Sequence, residues 1–292
     1  MSWKRILRFI VVLGISIAFS GICYTNAQKL PGAESNQPFK PFRIIGDIYY
    51  VGTNDLACYL ITTPDGHILL DTGLEESPPI IRANIETLGF KLQDIKIILS
   101  GHAHYDHVGG HADMKRETGA KVYASAGDAT LLEKGGTNAF HPLKPFKPVK
   151  VDRVINDGEI VRLGGVALTA HLTPGHTEGN TTWTTVAEEK GKKYDVVFVA
   201  SMSINPGVHL VNYPAWPKIA EVYLRSFEIL KRLHCDVFLG PHASFFDMES
   251  KSKRMNADPR SNPFIDPAGY QDYIARFEKL YNEQLQRERQ TQ

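Results

Sequence analysis

The chain has 292 residues, 42% of them hydrophobic, and a formal net charge of +1. That composition is enough to bury one large core or two modest ones and excludes intrinsic disorder. Basic and acidic residues are mixed along the chain without the basic stripe that tracks a phosphate backbone, which argues against nucleic acid as a partner.

The first segment, "MSWKRILRFIVVLGISIAFSGICYTNAQ", carries Lys4, Arg5 and Arg8, an apolar run from Phe9 to about Phe19, and then small and polar residues. This is the layout of a secretory signal peptide, residues 1–27, with Thr25 and Ala27 as the small residues before a cut after Ala27. The apolar run is short for a stable membrane span, so the expectation is a periplasmic chain with no stable membrane association after cleavage. An uncleaved anchor is the alternative. A lipoprotein anchored at Cys23 is disfavoured, because Ile22 stands where a small residue usually precedes the modified cysteine. Cleavage removes three basic residues and leaves Cys58 and Cys235, which either pair or stay as buried thiols.

Residues 28–41, "QKLPGAESNQPFKP", lack periodicity and read as an extended leader, with the folded domain over 42–292. Three β-branched or aromatic runs follow, "FRIIGDIYYVG", "LACYLITT" and "GHILLDTG", separated by turn residues such as Pro64, Asp65 and Gly66. "ESPPIIRANIETLGF" predicts a helix opened by Pro78 and Pro79 and closed at Gly89. "IKIILS" is a buried strand and "GGHADMKRETG" a short helix ending at Gly119. Strand "KVYAS", helix "AGDATLLEKGG" and the Pro-rich loop "TNAFHPLKPFKPVKVD" come next; residues 135–150 are a candidate lid. The second half is expected to hold strands at "DRVIND", "EIVRL", "VALTAHL", "TTWTTVA" and "YDVVFVAS". It continues with a helix over "YPAWPKIAEVYLRSFEILKRL", a strand "CDVFLG" and a last helix over "PAGYQDYIARFEKLYNEQLQRER". Strands followed by helices, twice and without a compositional break, predict one α/β domain of two facing sheets with helices outside.

Between "IKIILS" and its helix lies "SGHAHYDHVGG", with three histidines and an aspartate in six positions. In an extended segment His102 and His104 point to one side and Asp106 shares their parity, while His107 follows where the chain turns. Four such side chains crowd a single tetrahedral ion, whereas two adjacent ions divide them. Two further histidines sit at strand ends: His176 in "LTPGHTEGN" and His242 in "FLGPHASFF". His67, His111, His141, His171, His209 and His234 read as surface or locally bonded residues, with His141 and His209 placed where they can touch substrate.

"HAHYDH" with the later "PGH" and "GPH" resembles the metallo-β-lactamase superfamily, from about Phe42 to the last helix. "SMSINPGVHLVN" followed by "YPAWPKIAEVYLRSF" is most similar to subclass B3, the exported zinc β-lactamases. The resemblance implies an αββα sandwich and two zinc ions. His102, His104 and His176 would hold the first zinc, and Asp106, His107 and His242 the second. It implies a hydroxide nucleophile on the zinc ions, oriented by Asp106, that opens the β-lactam amide of penicillins, cephalosporins or carbapenems without a covalent acyl-enzyme. Ser201 and Ser203 would contact the substrate carboxylate, and Asp71 in "LLDTG" would accept from a ligand histidine or simply form the turn before Gly73. Relatives such as the glyoxalase II thioesterases carry a metal-bridging aspartate where this chain has Ser201. Subclass relatives often pair the cysteine equivalent to Cys235 with one near the last helix, where "DPAGYQDY" has none. The expected protein is a monomer acting on a small-molecule β-lactam in antibiotic resistance. The alternatives are a lactonase or thioesterase of the same fold and a non-catalytic exported zinc-binding protein.

Overall fold

A computed structural model describes residues 32–142 and 144–291. The expected signal peptide, residues 1–27, lies outside the described residues. The described part of the leader is tied down: Gln37 N donates to Asn54 Oδ1 at 2.8 Å and Asn54 Nδ2 to the Glu34 carbonyl at 2.8 Å.

The first sheet is built from β1 (Phe42–Ile45), β2 (Ile48–Tyr50), β3 (Tyr59–Thr63), β4 (Gly66–Leu70), β5 (Ile95–Leu99), β6 (Lys121–Ser125) and β7 (Arg153–Ile155), in that spatial order. Its helices are α1 (Pro78–Thr87), α2 (Tyr105–Val108), α3 (His111–Thr118) and α4 (Ala126–Glu133). The strands β8 (Ile160–Leu163), β9 (Val166–Leu172), β10 (Thr181–Glu189), β11 (Lys192–Phe198) and β12 (Val237–Leu239) form the second sheet, ordered β12-β11-β10-β9-β8. With it go α5 (Ile219–Arg232), α6 (Met248–Ala257) and α7 (Pro267–Gln290).

Strand alternation divides the core. Tyr59, Ile61, Ile68, Leu70, Ile97 and Leu99 face the second sheet and join Leu168, Trp183 and Val196 in one cluster. Leu60, Leu69 and Ile98, on the other face, pack under Ile81, Ile85, Met114 and Leu131 of the first sheet's helices. Sheets buried on both faces require nearly continuous apolar strands, which is how "IKIIL" and "HILL" read. The architecture is therefore the expected four-layer αββα sandwich.

Three elements differ from the sequence expectation. The strand in "DRVIND" pairs parallel with β6, so it closes the first sheet instead of opening the second. The helix expected from Tyr213 begins only at Ile219, since Pro217 has no N–H and disfavours helical backbone at Trp216. Helix α6 was not foreseen; its sequence, "MESKSKRMNA", has few apolar residues, and it is held by buried Lys251 pairing with Asp266 at 2.7 Å.

The sheets are joined at one rim, where β4, β5, β9, β11 and β12 all end. Trp183 Nε1 donates to the Ser100 carbonyl at 3.0 Å, Thr181 N to the Gly101 carbonyl at 2.7 Å, and Tyr59 OH to the Gly240 carbonyl at 2.6 Å. Replacing Trp183 by Phe should lower unfolding free energy by about 2 kcal/mol, from a lost buried hydrogen bond and a smaller ring. Urea denaturation checks this, and an unchanged midpoint would remove the indole from the inter-sheet link.

Candidate metal centre

Each strand end at this rim delivers part of the site. After β5 the chain bends at Gly101, is extended at His104 and then enters α2, whose first turn holds Asp106 and His107. The helix separates the ligands: His102 and His104 stay with the first group, and the turn swings Asp106 and His107 to the second. Strand parity alone had placed Asp106 with His102 and His104. Gly109 is required where α2 ends, since a Cβ there would lie 2.5 Å from the Tyr105 carbonyl oxygen and 2.6 Å from Glu75 N. The loop after β9 supplies His176 and the loop after β12 supplies His242.

Two buried triads result, His102–His104–His176 and Asp106–His107–His242, each with ligand atoms within 4.8 Å of one another. The rings of the first lie 4.5 to 4.7 Å apart by centroid. The triads adjoin, with the His102 and His107 rings 4.2 Å apart.

Buried imidazole nitrogens normally have hydrogen-bond partners, yet His102 Nδ1, His104 Nε2 and both nitrogens of His107 have none. In the second triad, His107 Nε2 and His242 Nε2 face Asp106 Oδ2 at 3.3 and 3.6 Å. Their other nitrogens face carboxylates, Asp71 Oδ2 at 3.4 Å from His107 and Asp55 Oδ2 at 3.2 Å from His242. His176 turns Nδ1 to the Ser203 carbonyl at 2.7 Å. An outer acceptor on one ring nitrogen, with the other aimed inward, is the arrangement that orients metal-binding histidines.

The electrostatics agree. Burial, reinforced by the neighbouring imidazoles, pushes His102 and His104 well below the ordinary histidine range. Burial takes His176 down to about 3, so all three are neutral and able to ligate. Burial would raise the Asp106 carboxyl, but the charge of His107 outweighs it and holds the group well below the usual carboxylate range. Burial would lower His107, but Asp106 and Asp71 outweigh it and raise the ring. The second triad therefore favours positive charge beside an ionised carboxylate. The donor set fits two divalent ions.

Asp71 stands in the turn before Gly73, with one carboxylate oxygen on the backbone and the other beside His107. Its backbone is left-handed at φ 63°, forming the turn, while Oδ1 accepts from Gly101 N at 2.9 Å and Oδ2 faces His107. Ser201 and Ser203 stand at the rim after β11, with their hydroxyls 3.0 Å apart and Ser203 Oγ 3.3 Å from His176 Nδ1. His141 lies beside His104 with ring centroids 5.2 Å apart. His209 is exposed against Glu288, His111 is buried against Thr72 Oγ1 at 2.7 Å, and His67, His171 and His234 are also outside the triads.

Two residues that position the site were missed in the sequence. Asp55 holds His242 and also caps Ser244 N at 3.1 Å. Asp128, buried in α4, accepts from Ala103 N at 2.8 Å, Gly179 N at 3.1 Å and Thr177 Oγ1 at 3.3 Å. Its carboxylate ties the His102–His104 segment to the His176 loop, although burial pushes its pKa up to about 7. The loops approach closely there: a Cβ on Gly179 would lie 2.3 Å from Asp128 N. Only the spacing of "SAGD" to "HAH" was visible in the sequence, and that carries no signature.

The metallo-β-lactamase superfamily model matches residues 54–242, and the chain belongs to that superfamily. Among solved structures, it is similar to the native FEZ-1 metallo-β-lactamase from Legionella gormanii, with 45% identity, a TM-score of 0.84, and coverage of 86% of this chain and 97% of that one. It is also similar to the class B3 di-zinc metallo-β-lactamase LRA-12 from an Alaskan soil metagenome, with 36% identity, a TM-score of 0.83, and coverage of 88% and 98%. Among curated proteins it matches a hydroxyacylglutathione hydrolase of Rhodopseudomonas palustris at 34% identity over 119 residues, 41% of this chain and 39% of that relative. The chain thus spans well under half of that relative's length. These likenesses bear out the expected fold and family.

An Asp128→Asn variant must place an amide N–H against a backbone N–H of either Ala103 or Gly179. Stability should fall by about 2 kcal/mol, with weaker metal retention in the first triad. Urea unfolding and metal titration against a chromogenic chelator test this; unchanged midpoint and affinity would reduce Asp128 to an ordinary helix residue.

Proposed function

We propose that the protein is a zinc β-lactamase of the B3 type, hydrolysing the lactam amide of penicillins, cephalosporins or carbapenems in the periplasm and thereby conferring antibiotic resistance. The observation that carries this reading is Ser201. It is buried at the end of the segment after β11, hydrogen-bonded to Ser203, at the position where the thioesterase relatives carry a metal-bridging carboxylate. A neutral hydroxyl there leaves the two triads with Asp106 as their single carboxylate. The near-complete span of lactamase relatives, against 39% of the hydroxyacylglutathione hydrolase, supports the same reading.

His102, His104 and His176 would hold one zinc, and Asp106, His107 and His242 the other. Two zinc ions there would supply Lewis-acid polarisation of the scissile carbonyl and acidify an attacking water. Asp106 orients that water by accepting its hydrogen bond. Asp71 and Asp55 keep the His107 and His242 rings turned inward. Ser201 and Ser203 offer hydroxyl donors to the carboxylate of the substrate. No side-chain nucleophile is required, so no acyl-enzyme forms.

Thioester hydrolysis is the second reading, favoured by the names of the curated relatives. The purified protein should turn over a penicillin or a carbapenem, lose that activity on chelation and regain it with zinc. If the zinc-loaded protein leaves every lactam intact and cleaves a hydroxyacylglutathione, the thioesterase reading replaces this one. Asp106→Ala should lower bound zinc from two to one per chain and reduce kcat by at least about a hundredfold. Full zinc content with unaltered kcat would refute the two-metal assignment.

A further inference from the structure

Helix α5 grips the turn that presents His176. Its inward residues are Ile219, Tyr223, Ser226, Phe227 and Leu230, the three- and four-residue spacing of one helix face, and two of them carry hydroxyls. Ser226 Oγ donates to the Pro174 carbonyl at 2.6 Å. Tyr223 is fully buried and packs directly on Gly175, where a Cβ would come 2.7 Å from a ring carbon. The Tyr223 hydroxyl donates to the Ser203 carbonyl at 2.8 Å.

The same carbonyl faces His176 Nδ1 at 2.7 Å. A carbonyl oxygen only accepts and has two lone pairs, so it takes the tyrosine hydroxyl on one and an imidazole N–H on the other. With the hydrogen on Nδ1, the Nε2 lone pair of His176 is free. Ser203 also offers a competing partner, because its own Oγ lies 3.3 Å from that Nδ1. A hydroxyl that donates to Nδ1 leaves the ring hydrogen on Nε2, the nitrogen a metal needs bare. Which partner meets Nδ1 depends on where the Ser203 backbone sits, and residues 199–208 lie in neither strand nor helix. Tyr273 OH accepts from the neighbouring Met202 N at 3.2 Å, and Asn205 Nδ2 donates to the His176 carbonyl at 2.9 Å. Of the three anchors, only Tyr223 reaches the Ser203 carbonyl itself.

We propose that Tyr223 is a positioning residue of the first metal: by fixing the Ser203 carbonyl on His176 Nδ1, it selects the tautomer in which Nε2 is a ligand. The inference rests on the first triad as a metal site and is independent of which bond the enzyme hydrolyses. Ser203 then has two tasks on separate atoms, its hydroxyl towards the substrate in the reading above and its carbonyl behind the ligand. The second triad has its own carboxylates, Asp71 at His107 and Asp55 at His242, and does not depend on Tyr223.

The test uses two variants of the full chain. Tyr223→Phe keeps the ring on Gly175 and removes the hydroxyl, while Ser226→Ala removes the neighbouring buried hydrogen bond without touching the Ser203 carbonyl and serves as the control for stability. Zinc binding is measured against a chromogenic chelator in two backgrounds, Asp106→Ala, which leaves the first triad intact, and His104→Ala, which leaves the second. Tyr223→Phe should weaken zinc about tenfold in the first background, the low end of what losing a partner behind a metal-binding histidine costs, and leave it unchanged in the second. Ser226→Ala should lower the melting temperature as Tyr223→Phe does, with zinc affinity unaltered in both. Nitrogen NMR of the histidine rings in the metal-free protein should show His176 protonated at Nδ1 in the wild type and partly at Nε2 in Tyr223→Phe. Equal zinc loss in the two variants, or in the two backgrounds, would reduce Tyr223 to general support of the turn and overturn the assignment. Unaltered first-site affinity in Tyr223→Phe, or a wild-type His176 protonated at Nε2, would overturn it as well. A protein that binds zinc in this way but hydrolyses no lactam sinks the β-lactamase reading alone, since neither measurement uses a substrate.

Discussion

Five imidazoles and one carboxylate, all buried and converging within a few ångströms, cannot be stable by packing alone. Buried nitrogens of His102, His104 and His107 give up water without gaining a hydrogen-bond partner. The rest of the structure is arranged around that constraint. The strands end together, so backbone from both sheets reaches the rim, and the inter-sheet bonds from Trp183, Thr181 and Tyr59 lie directly behind the ligands. The outward nitrogens of His242 and His176 are met by Asp55 and the Ser203 carbonyl, and Asp71 Oδ2 lies 3.4 Å from His107 Nδ1. Rings locked from behind cannot turn aside to find other partners, so they remain available to a metal ion.

Three aspartates outside the ligand set share one task. Asp71 links the end of β4 to Gly101, Asp128 links Ala103 to Gly179, and Asp55 links His242 to the loop between β2 and β3. Each spans segments far apart in sequence, and each touches the backbone or ring of a ligand-bearing segment. Asp71 also occupies left-handed backbone, which costs a non-glycine residue about 1 kcal/mol and is tolerated because its carboxylate is doubly engaged. The two triads differ in charge: the first is built of neutral imidazoles, while the second has Asp106 and, one step out, Asp71 and Asp55. A divalent ion is thus held in the first by lone pairs and in the second by lone pairs and charge together.

The ligand set was legible because its members occur at strand ends that the sequence marks clearly. "IKIILS", "VALTAHL" and "CDVFLG" are mainly apolar runs, and a histidine beyond the end of such a run has no core to join. The αββα layering followed from the same runs. What stayed hidden depends on contacts across the fold. Asp128 sits in "AGDATLLE", indistinguishable from a solvated helix aspartate until Gly179 and Ala103 are brought to it. Asp55 lies in a turn, where aspartate is ordinary. The pairing of β7 with β6 was obscured because a three-residue strand carries no mark of which sheet it joins. Helix α2 is one turn long, too short for periodicity to register, although it is the element that parts the two triads.

The loop over the site combines both kinds of information. Its prolines at 142, 145 and 148 identify an irregular segment, and irregular segments are usually taken as mobile. Its anchors say otherwise: Phe146 is buried in one helical layer and Phe140 is gripped by Trp216 and Tyr213 from the other layer. A segment fastened at both sides to different layers moves only if the layers move or a clasp opens. Phe140 and Phe146 are therefore held by the same two layers that deliver the metal ligands.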